Sequence, residues 1–335
     1  MKAQNVCTDT RLDTPYLLFL LDTGAVTSPF DVCLALSAGF RAVIPYGGVT
    51  PLNVQRIVMD SMLLRGPEAV KHTCFFIGGV ALCEAEEVLK VVKDSLFPSF
   101  EASIVIDPAG AFTTTAAAVA KIEEALASFR LHGLSSLETK QCAILGTGVV
   151  GRIAAVLLSR LGCDVTIASL DPKRDHGEKY AIGVAEFLDN RYGVVVKSVF
   201  APTTKKRLEV MKSAQVIFCA AARGVRIIEK DLLKRLKPSK IIADINATPP
   251  LGIECVRLED DMREIMPGIL GIGALTIDKL KNKVAKRMLE EARVNAKGVY
   301  NYDSALMLAR KILRKKIRPN DALASATPKQ TLCRP

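Results

Sequence analysis

The sequence is poor in aromatic side chains and in histidine. Its 335 residues include no tryptophan, aromatic residues make up 5%, and there are three histidines. These are His72, His132 and His176, which lie far apart in the chain. Neither the spacing of a zinc site nor the order of a Ser-His-Asp triad can be argued from them. The sequence therefore gives no reason to expect a metal centre or a serine hydrolase.

Paired cysteines and long apolar runs are also missing. The nine cysteines include no C-x-x-C pair and their number is odd, which favours reduced thiols in a cytoplasmic protein. No run approaches the roughly 18 apolar residues of a membrane helix, and residues 16–21 have only the length of a strand. Charged residues, Asp9, Arg11 and Asp13, interrupt the segment where a signal peptide would lie. We therefore expect neither a membrane span nor a signal peptide.

Positive charge is in excess, with a formal net charge of +11. A solvated basic surface is the ordinary explanation. Nucleic-acid binding is poorly supported, since aromatic residues are few and no recognition motif is present. A third explanation is attraction of polyanionic small molecules, such as a phosphorylated dinucleotide and an acidic cosubstrate. The charge alone does not decide among these three.

A glycine motif stands near the middle of the chain. Residues 141–151 read QCAILGTGVVG, an apolar run followed by G-x-G-x-x-G, and residues 152–161 have the apolar spacing of a helix. This is the strand, turn and helix of a dinucleotide-binding unit, in which the free N–H groups at the helix start bind phosphates. A second strand is predicted at residues 164–169. The predicted cofactor-binding residues of the motif are Gly146, Thr147, Gly148, Val149, Val150 and Gly151.

The end of that second strand bears on the choice of cofactor. NAD-specific units usually have Asp or Glu there, whereas this chain has Ser169. Lys173 and Arg174 follow, and both suit a 2′-phosphate. Asp171 would repel that phosphate unless it points away. The pattern favours NADP and leaves NAD, or use of both, open.

Strand-like and helix-like segments alternate along most of the chain, which predicts a parallel α/β fold. The length suggests two domains. We predict an N-terminal three-layer α/β substrate domain at residues 15–132, completed by a C-terminal helix at residues 300–317. A Rossmann-type domain with a parallel sheet is predicted at residues 133–295. Residues 1–14 and 318–335 are predicted tails, with a linker at residues 132–140.

A second unusual stretch is DPAGAFTTTAAAVA, at residues 107–120. It follows a predicted strand and opens a helix rich in small residues. Its three consecutive threonines, Thr113, Thr114 and Thr115, suit helix capping. They equally suit the mouth of a cleft, where strand ends meet ligands in open α/β sheets. Both interpretations stay open.

Several stretches together resemble one family, the NAD(P)-dependent methylene-tetrahydromethanopterin dehydrogenases of methylotrophic bacteria. The match covers about residues 16–315. The resemblance implies a two-domain, homo-oligomeric enzyme of formaldehyde oxidation and one-carbon metabolism, distantly similar to methylene-tetrahydrofolate dehydrogenases. It further implies that the pterin binds in the cleft between the domains. The stretches, in the family's order, are SPFDV (28–32), IPYGGVTPLNV (44–54), FIGG (76–79), DPAGAFTTTAAAVA (107–120), GTGVVG (146–151), DINATPPLGI (244–253) and GIGAL (271–275).

The resemblance also implies roles for residues. Ser169, Lys173 and Arg174 would surround the adenosine ribose, with Ala221 and Asn246 near the nicotinamide. The residues expected on the pterin side are Phe30, Asp31, Tyr46, Asp107, Phe112, Thr113 and Thr114.

One position departs from the family pattern. Some members have Lys directly after the GIG-x-Leu segment, where this chain has Thr276. That favours the branch specific for tetrahydromethanopterin over the branch that also accepts tetrahydrofolate. Lys279 or Lys281 is a possible substitute, although both fit surface positions on a helix.

The implied reaction removes a hydride from a carbon between two nitrogens, so no proton leaves in that step. Orientation and exclusion of water then matter more than an acid–base pair. The predicted catalytic residues are Phe30, Asp31 and Asp107. Phe30 would pack on the pterin or nicotinamide, or else serve as a core residue. The two aspartates would hydrogen-bond the pterin amino group, or else cap helices.

Two other classes stay open. An amino-acid or shikimate-type dehydrogenase would share the two-domain plan but would need a Lys or Asp base in its cleft. A non-catalytic nucleotide-sensing protein would bind the cofactor without reducing it.

Overall fold

The computed structural model describes residues 14–128 and 137–317. Most of the predicted tails and linker, at residues 1–14, 318–335 and 132–140, lies outside these residues, as does His132. Among the described residues, no helix combines the length and the apolar character that a bilayer crossing requires.

Strands and helices alternate through most of the chain, as predicted. The strands are β1 (Leu17–Asp22), β2 (Ala42–Tyr46), β3 (Thr73–Gly78), β4 (Ser103–Ile106), β5 (Gln141–Leu145), β6 (Asp164–Ser169), β7 (Lys197–Phe200), β8 (Val216–Cys219), β9 (Lys240–Asp244), β10 (Asp261–Met266), β11 (Ile269–Ile272) and β12 (Gly298–Tyr300). The helices are α1 (Pro29–Ser37), α2 (Val54–Val70), α3 (Leu82–Ser95), α4 (Ala111–Ser128), α5 (Val149–Arg160), α6 (Gly177–Tyr192), α7 (Thr204–Lys212), α8 (Lys230–Leu233), α9 (Ala274–Val294) and α10 (Tyr302–Ile317).

The chain forms two compact units. The first contains the described residues up to Ala109 together with Leu289–Tyr300. The second contains the described residues of Gly110–Met288 and those from Asn301 onward.

The first unit is built on a five-stranded parallel sheet in the order β12-β4-β3-β1-β2. All six residues of β3 are buried, as expected for a central strand covered on both faces. Strand order reverses between β1 and β3, because β2 lies beyond β1 and β4 lies beyond β3. In open α/β sheets, ligands bind at such a reversal, beside the carboxyl ends of the strands. The loops after β1 and β3 therefore mark the candidate ligand edge of this unit.

The second unit has the doubly wound order of dinucleotide-binding domains. Six parallel strands run β7-β6-β5-β8-β9-β11, and β10 pairs antiparallel with β11 at the edge. The order reverses between β5 and β8, so the loops after these strands meet at the expected ligand edge. The predicted two-domain α/β fold with a Rossmann-type domain is confirmed.

The compact units divide the chain differently from the predicted domains. The predicted first domain comprises residues 15–132, completed by the helix at residues 300–317. Instead, α4 packs against α5, where Thr115 donates to the Val150 carbonyl over 3.3 Å. The rings of Phe112 and Tyr302 join α4 to α10, with their centroids 5.0 Å apart. Both helices therefore belong to the second unit.

Candidate active site

The glycine turn after β5 has a backbone that other residues would disrupt. Gly146 has a φ of 123°, and a Cβ there would lie 2.2 Å from the carbonyl oxygen of Ala220. A Cβ on Gly151 would lie 2.1 Å from the carbonyl oxygen of Gly146. Two of the three glycines thus permit close packing of the turn on itself and on the loop after β8.

The remaining glycine faces open space. A Cβ on Gly148 would meet no described atom within 4 Å. Gly148 is also the N-cap of α5, and it has no side chain to bond the first N–H groups of that helix. Thr147, Val149 and Val150 beside it are half-buried. Open backbone and an uncapped helix start fit the pyrophosphate of a dinucleotide.

The residues predicted around the adenosine ribose follow β6. Ser169 ends that strand and is buried, whereas Lys173 is exposed. The guanidinium of Arg174 lies over the Tyr180 ring, 4.0 Å from its centroid. A carboxylate oxygen of Asp171 accepts a hydrogen bond from the Lys173 backbone N–H over 2.9 Å. Lys173 is therefore open to solvent at this strand end, whereas Arg174 also forms an ion pair with Asp171, over 3.9 Å.

Two residues that the sequence interpretation missed connect the turn to α6. Tyr180 Oη lies 3.2 Å from Thr147 Oγ1, and Arg152 donates to the same Oη over 3.4 Å. Arg152 Nε also donates to the Thr147 carbonyl over 3.0 Å. Burial raises the pKa of Tyr180, but its hydrogen bonds to Thr147 and Arg152, with the charges of Arg152 and Arg174, outweigh burial and lower that pKa. The sequence signal that was overlooked is an arginine directly after the third glycine.

Ala221 and Asn246, predicted near the nicotinamide, follow the neighbouring strands β8 and β9. Ala221 is half-buried and adjoins Ala220, which touches the glycine turn. Asn246 is buried, and its Oδ1 accepts hydrogen bonds from the N–H groups of Gly224 and Thr248 over 3.3 and 3.0 Å. The structure therefore brings both residues to the edge of the sheet where the glycine turn lies.

Four of the predicted pterin-side residues lie in the first unit. Ser28 caps α1 by accepting from the Asp31 N–H over 3.3 Å. Phe30 in the first turn of α1 is 50% exposed, which does not suit a core residue. Tyr46 ends β2 and is exposed, while Asp107 follows β4 and is buried. These residues lie at or beyond the carboxyl ends of their strands.

The other three predicted pterin-side residues begin α4. Phe112 and Thr113 are buried, and Thr114 is half-buried. The hydroxyls of both threonines donate to the Gly110 carbonyl, over 3.3 and 2.6 Å. Within the described residues these side chains support the helix start, and a contact with ligand stays a prediction for them.

Thr276, which stands where some members of the resembling family have Lys, has a structural role of its own. Its hydroxyl is buried and donates to the Glu259 carbonyl over 3.1 Å. Of the two candidate substitutes, Lys279 is exposed, whereas the Lys281 side chain is 17% exposed. A Cβ on Gly110 would lie 3.4 Å from Lys281 Nζ, so this lysine reaches the turn before α4.

A doubly wound sheet with a three-glycine turn at its reversal point defines the class of dinucleotide-binding oxidoreductases. Comparison with known proteins narrows the class. Residues 29–109 match the family model "Methylene-tetrahydromethanopterin dehydrogenase, N-terminal". Residues 115–246 match "D-isomer specific 2-hydroxyacid dehydrogenase, NAD binding domain".

Two relatives come from Methylorubrum extorquens. The NAD(P)-dependent methylenetetrahydromethanopterin dehydrogenase is 32% identical over 79% of this chain and 87% of its own length. The bifunctional protein MdtA is 31% identical over 88% of this chain and 98% of its own length. The chain therefore belongs to the methylene-tetrahydromethanopterin dehydrogenase family.

A solved structure of similar plan is shikimate 5-dehydrogenase from Listeria monocytogenes in complex with shikimate and NAD. It is 13% identical, covers 91% of this chain and 99% of its own chain, and has a TM-score of 0.49.

Proposed function

We propose that the protein oxidises methylene-tetrahydromethanopterin to methenyl-tetrahydromethanopterin by direct hydride transfer to NADP or NAD. The observation that carries the proposal is the open, uncapped start of α5 at Gly148 in a chain of this family. In the cell this step would belong to tetrahydromethanopterin-linked formaldehyde oxidation.

The reaction suits a site without an acid–base pair. Loss of hydride from the methylene carbon leaves a cation that both neighbouring nitrogens stabilise, and no proton leaves. A bound nicotinamide supplies the hydride acceptor. The protein's task is to bind both ligands, orient them and exclude water.

The cofactor is held chiefly by the second unit. N–H groups of α5 bind the pyrophosphate at Gly148, and Ala221 and Asn246 lie on the nicotinamide side. Arg174, beside Lys173, binds a 2′-phosphate, which favours NADP over NAD. Arg152 and Tyr180 support this site, because both bond to Thr147 in the turn.

The pterin is held by the carboxyl edge of the first sheet. Phe30 and Tyr46 offer exposed aromatic faces on which a flat ring can stack. In this proposal, Asp31 and Asp107 accept hydrogen bonds from the pterin amino group. Val26 and Leu52, in the loops after β1 and β2, add exposed apolar surface at this edge of the sheet.

We further propose a cytoplasmic homo-oligomer that binds neither nucleic acid nor membranes. Two adjacent leucines on α2 support self-association, because Leu63 and Leu64 are 58% and 92% exposed. Light scattering of the purified protein tests this, and a monomer at working concentration would remove the proposal.

Spectrophotometry of cofactor reduction tests the reaction. Methylene-tetrahydromethanopterin and methylene-tetrahydrofolate are offered in parallel with NADP and with NAD. We expect reduction with the first pterin. Activity only with methylene-tetrahydrofolate would contradict this proposal and would indicate a methylene-tetrahydrofolate dehydrogenase instead. Cofactor binding without reduction on either pterin would indicate a nucleotide-sensing protein, or a dehydrogenase for an amino acid or a shikimate-like substrate.

A further inference from the structure

A buried carboxylate stands at the carboxyl end of β9. Asp244 is the last residue of that strand and is 2% exposed. Its Oδ1 accepts a hydrogen bond from the Asn246 N–H and its Oδ2 one from the Ile253 N–H, each over 3.0 Å. One side chain thus holds both ends of the loop formed by residues 245–253.

The loop closes tightly over this carboxylate. A Cβ on Gly252 would lie 2.8 Å from Asp244 Oδ1 and 2.8 Å from the sulfur of Cys219. The Cys219 thiol hydrogen-bonds the same carboxylate from the end of β8. Glycine at position 252 therefore permits a packing that a larger residue would push apart.

The loop is also tied to the loop after β8. The N–H groups of Ile227 and Ile228 both donate to the Gly252 carbonyl, over 2.8 and 3.0 Å. Asn246 bonds in both directions, accepting from the Gly224 N–H and donating to the Pro250 carbonyl over 3.2 Å. Because the loop after β8 touches the glycine turn at Ala220, a continuous framework runs from β5 to Asp244.

We propose that Asp244 is a positioning residue of the hydride-transfer site, which sets the loop of residues 245–253 and so fixes Asn246 against the nicotinamide half of the cofactor. This rests on the proposed function. Asp244 itself contacts no cofactor in this account and acts through Asn246 and the backbone.

The charge state of Asp244 offers an internal test. Burial raises the pKa of this carboxyl to about 6, against opposing hydrogen bonds from Asn246, Ile253, Cys219 and Gly252. The titratable group that faces it from β8 is the Cys219 thiol, whose pKa burial raises well above its usual value. A protonated Asp244 accepts fewer hydrogen bonds, so one end of the loop loses its partner.

The experiment compares two ligands that differ only in the nicotinamide half. NADP and 2′-phospho-ADP-ribose are titrated calorimetrically against the wild type and Asp244→Asn. In the variant, one backbone N–H of the loop loses its acceptor, and a buried N–H without an acceptor costs free energy. We therefore expect NADP to bind about tenfold more weakly to the variant. The affinity for 2′-phospho-ADP-ribose should change by less than about twofold.

Lys240 provides a matched control at the other end of the same strand. It is 4% exposed, and its ammonium donates to the carbonyls of Met211 and Lys212 at the end of α7 and of Ala214 just after it. Lys240→Met also removes a buried charged anchor from β9, but at the amino edge. It should lower stability and leave the ratio of the two affinities unchanged. If the ratio of NADP affinity to 2′-phospho-ADP-ribose affinity fell equally in both variants, Asp244 would have only a structural role.

The wild type gives a second measurement that needs no folded variant. The ratio of NADP affinity to 2′-phospho-ADP-ribose affinity should fall as the pH is lowered from about 7.5 to about 5. Titration of the 2′-phosphate cancels, since both ligands carry it. A ratio that stays constant through pH 6 would overturn the inference. A wild type that binds no NADP at all would instead overturn the proposed function.

Discussion

The two sheets end in similar buried aspartates but in different ligand edges. In the first unit, Asp22 at the end of β1 accepts hydrogen bonds from the N–H groups of Gly24 and Ser28, over 2.8 and 3.3 Å. In the second, Asp244 holds its loop in the same way. Beyond this point they differ. The second edge is made largely of mutually bonded backbone, buried at Gly146 and Asn246 and open at Gly148. The first edge leaves Phe30 half exposed and Leu52 almost fully exposed.

This difference indicates that the two edges use different kinds of chemical group to bind ligands in the proposed site. At the second edge the groups are backbone N–H and carbonyl groups, whose positions depend on glycines at Gly146 and Gly252. In the proposed site, the groups at the first edge are side chains, and Phe30 follows the loop that Asp22 holds. Substitutions at the second edge should therefore disturb its backbone. Substitutions at the first edge should remove single side chains and leave its fold intact.

Gly146→Ala should have the largest effect. The new methyl group would meet the Ala220 carbonyl at 2.2 Å, in a backbone conformation with a φ of 123°. We expect loss of measurable NADP binding and a destabilisation of about 2–4 kcal/mol. Calorimetric titration and thermal unfolding measure the two effects.

Gly183→Ala is the control for that substitution. Gly183 lies within α6, and a Cβ there would meet no described atom within 4 Å. Alanine should stabilise this helix by up to about 1 kcal/mol, with unchanged cofactor affinity. If Gly146→Ala behaved like Gly183→Ala, the backbone account of the second edge would be wrong.

Phe30→Ala should have the next largest effect. Because half of this ring is exposed, its removal should cost little stability, but it should lower turnover about tenfold through poorer orientation of the substrate. Steady-state kinetics with saturating cofactor measure the change, and circular dichroism checks the fold.

Phe97→Ala is the matched control. Phe97 is 40% exposed and stacks on Phe100, with centroids 4.9 Å apart, between α3 and β4. It therefore lies before a strand of the same sheet, at the amino edge. Turnover should stay at the wild-type value. Wild-type turnover in Phe30→Ala as well would remove Phe30 from the site.

The sequence predicted the elements whose local signals are strong. The glycine turn after β5 was placed correctly because a tight turn depends on neighbouring residues. Two strands, β10 and β12, escaped prediction. β10 is a polar edge strand and β12 has three residues, so each owes its conformation to its partner strand.

The site was also predictable only where local sequence signals are strong. The glycines and the strand-end residues Ala221 and Asn246 follow from spacing and from the resemblance. Tyr180 and Asp244 do not, because their importance depends on contacts across the fold. The exposure of Phe30 and the burial of Phe112 likewise depend on how the helices pack, which apolar spacing alone does not reveal.

Arg174→Ala should have a smaller effect, confined to the choice of cofactor. Arg174 stacks on Tyr180 and is not part of the backbone framework. Losing one charged contact to a 2′-phosphate should weaken NADP binding about tenfold and leave NAD binding unchanged. Lys179→Ala, an exposed lysine on α6, serves as the control. An unaltered ratio of NADP affinity to NAD affinity in Arg174→Ala would show that Arg174 does not bind the 2′-phosphate.

Asp244 should also make the stability of the folded protein depend on pH. The pKa of Asp244 is raised in the folded protein from 3.8 to about 6, so the folded state binds its proton more tightly than the unfolded chain. The wild type should therefore gain stability relative to Asp244→Asn as the pH falls from about 7 to about 4, and lose it as the pH rises through 6. The gain is at most about 3 kcal/mol, and melting temperatures of both proteins across this range measure it. The same proton that relieves the burial of the charge also removes an acceptor from the loop, so stability should rise where nicotinamide affinity falls. A stability curve parallel to that of Asp244→Asn would show that burial of this carboxylate does not raise its pKa in the folded protein.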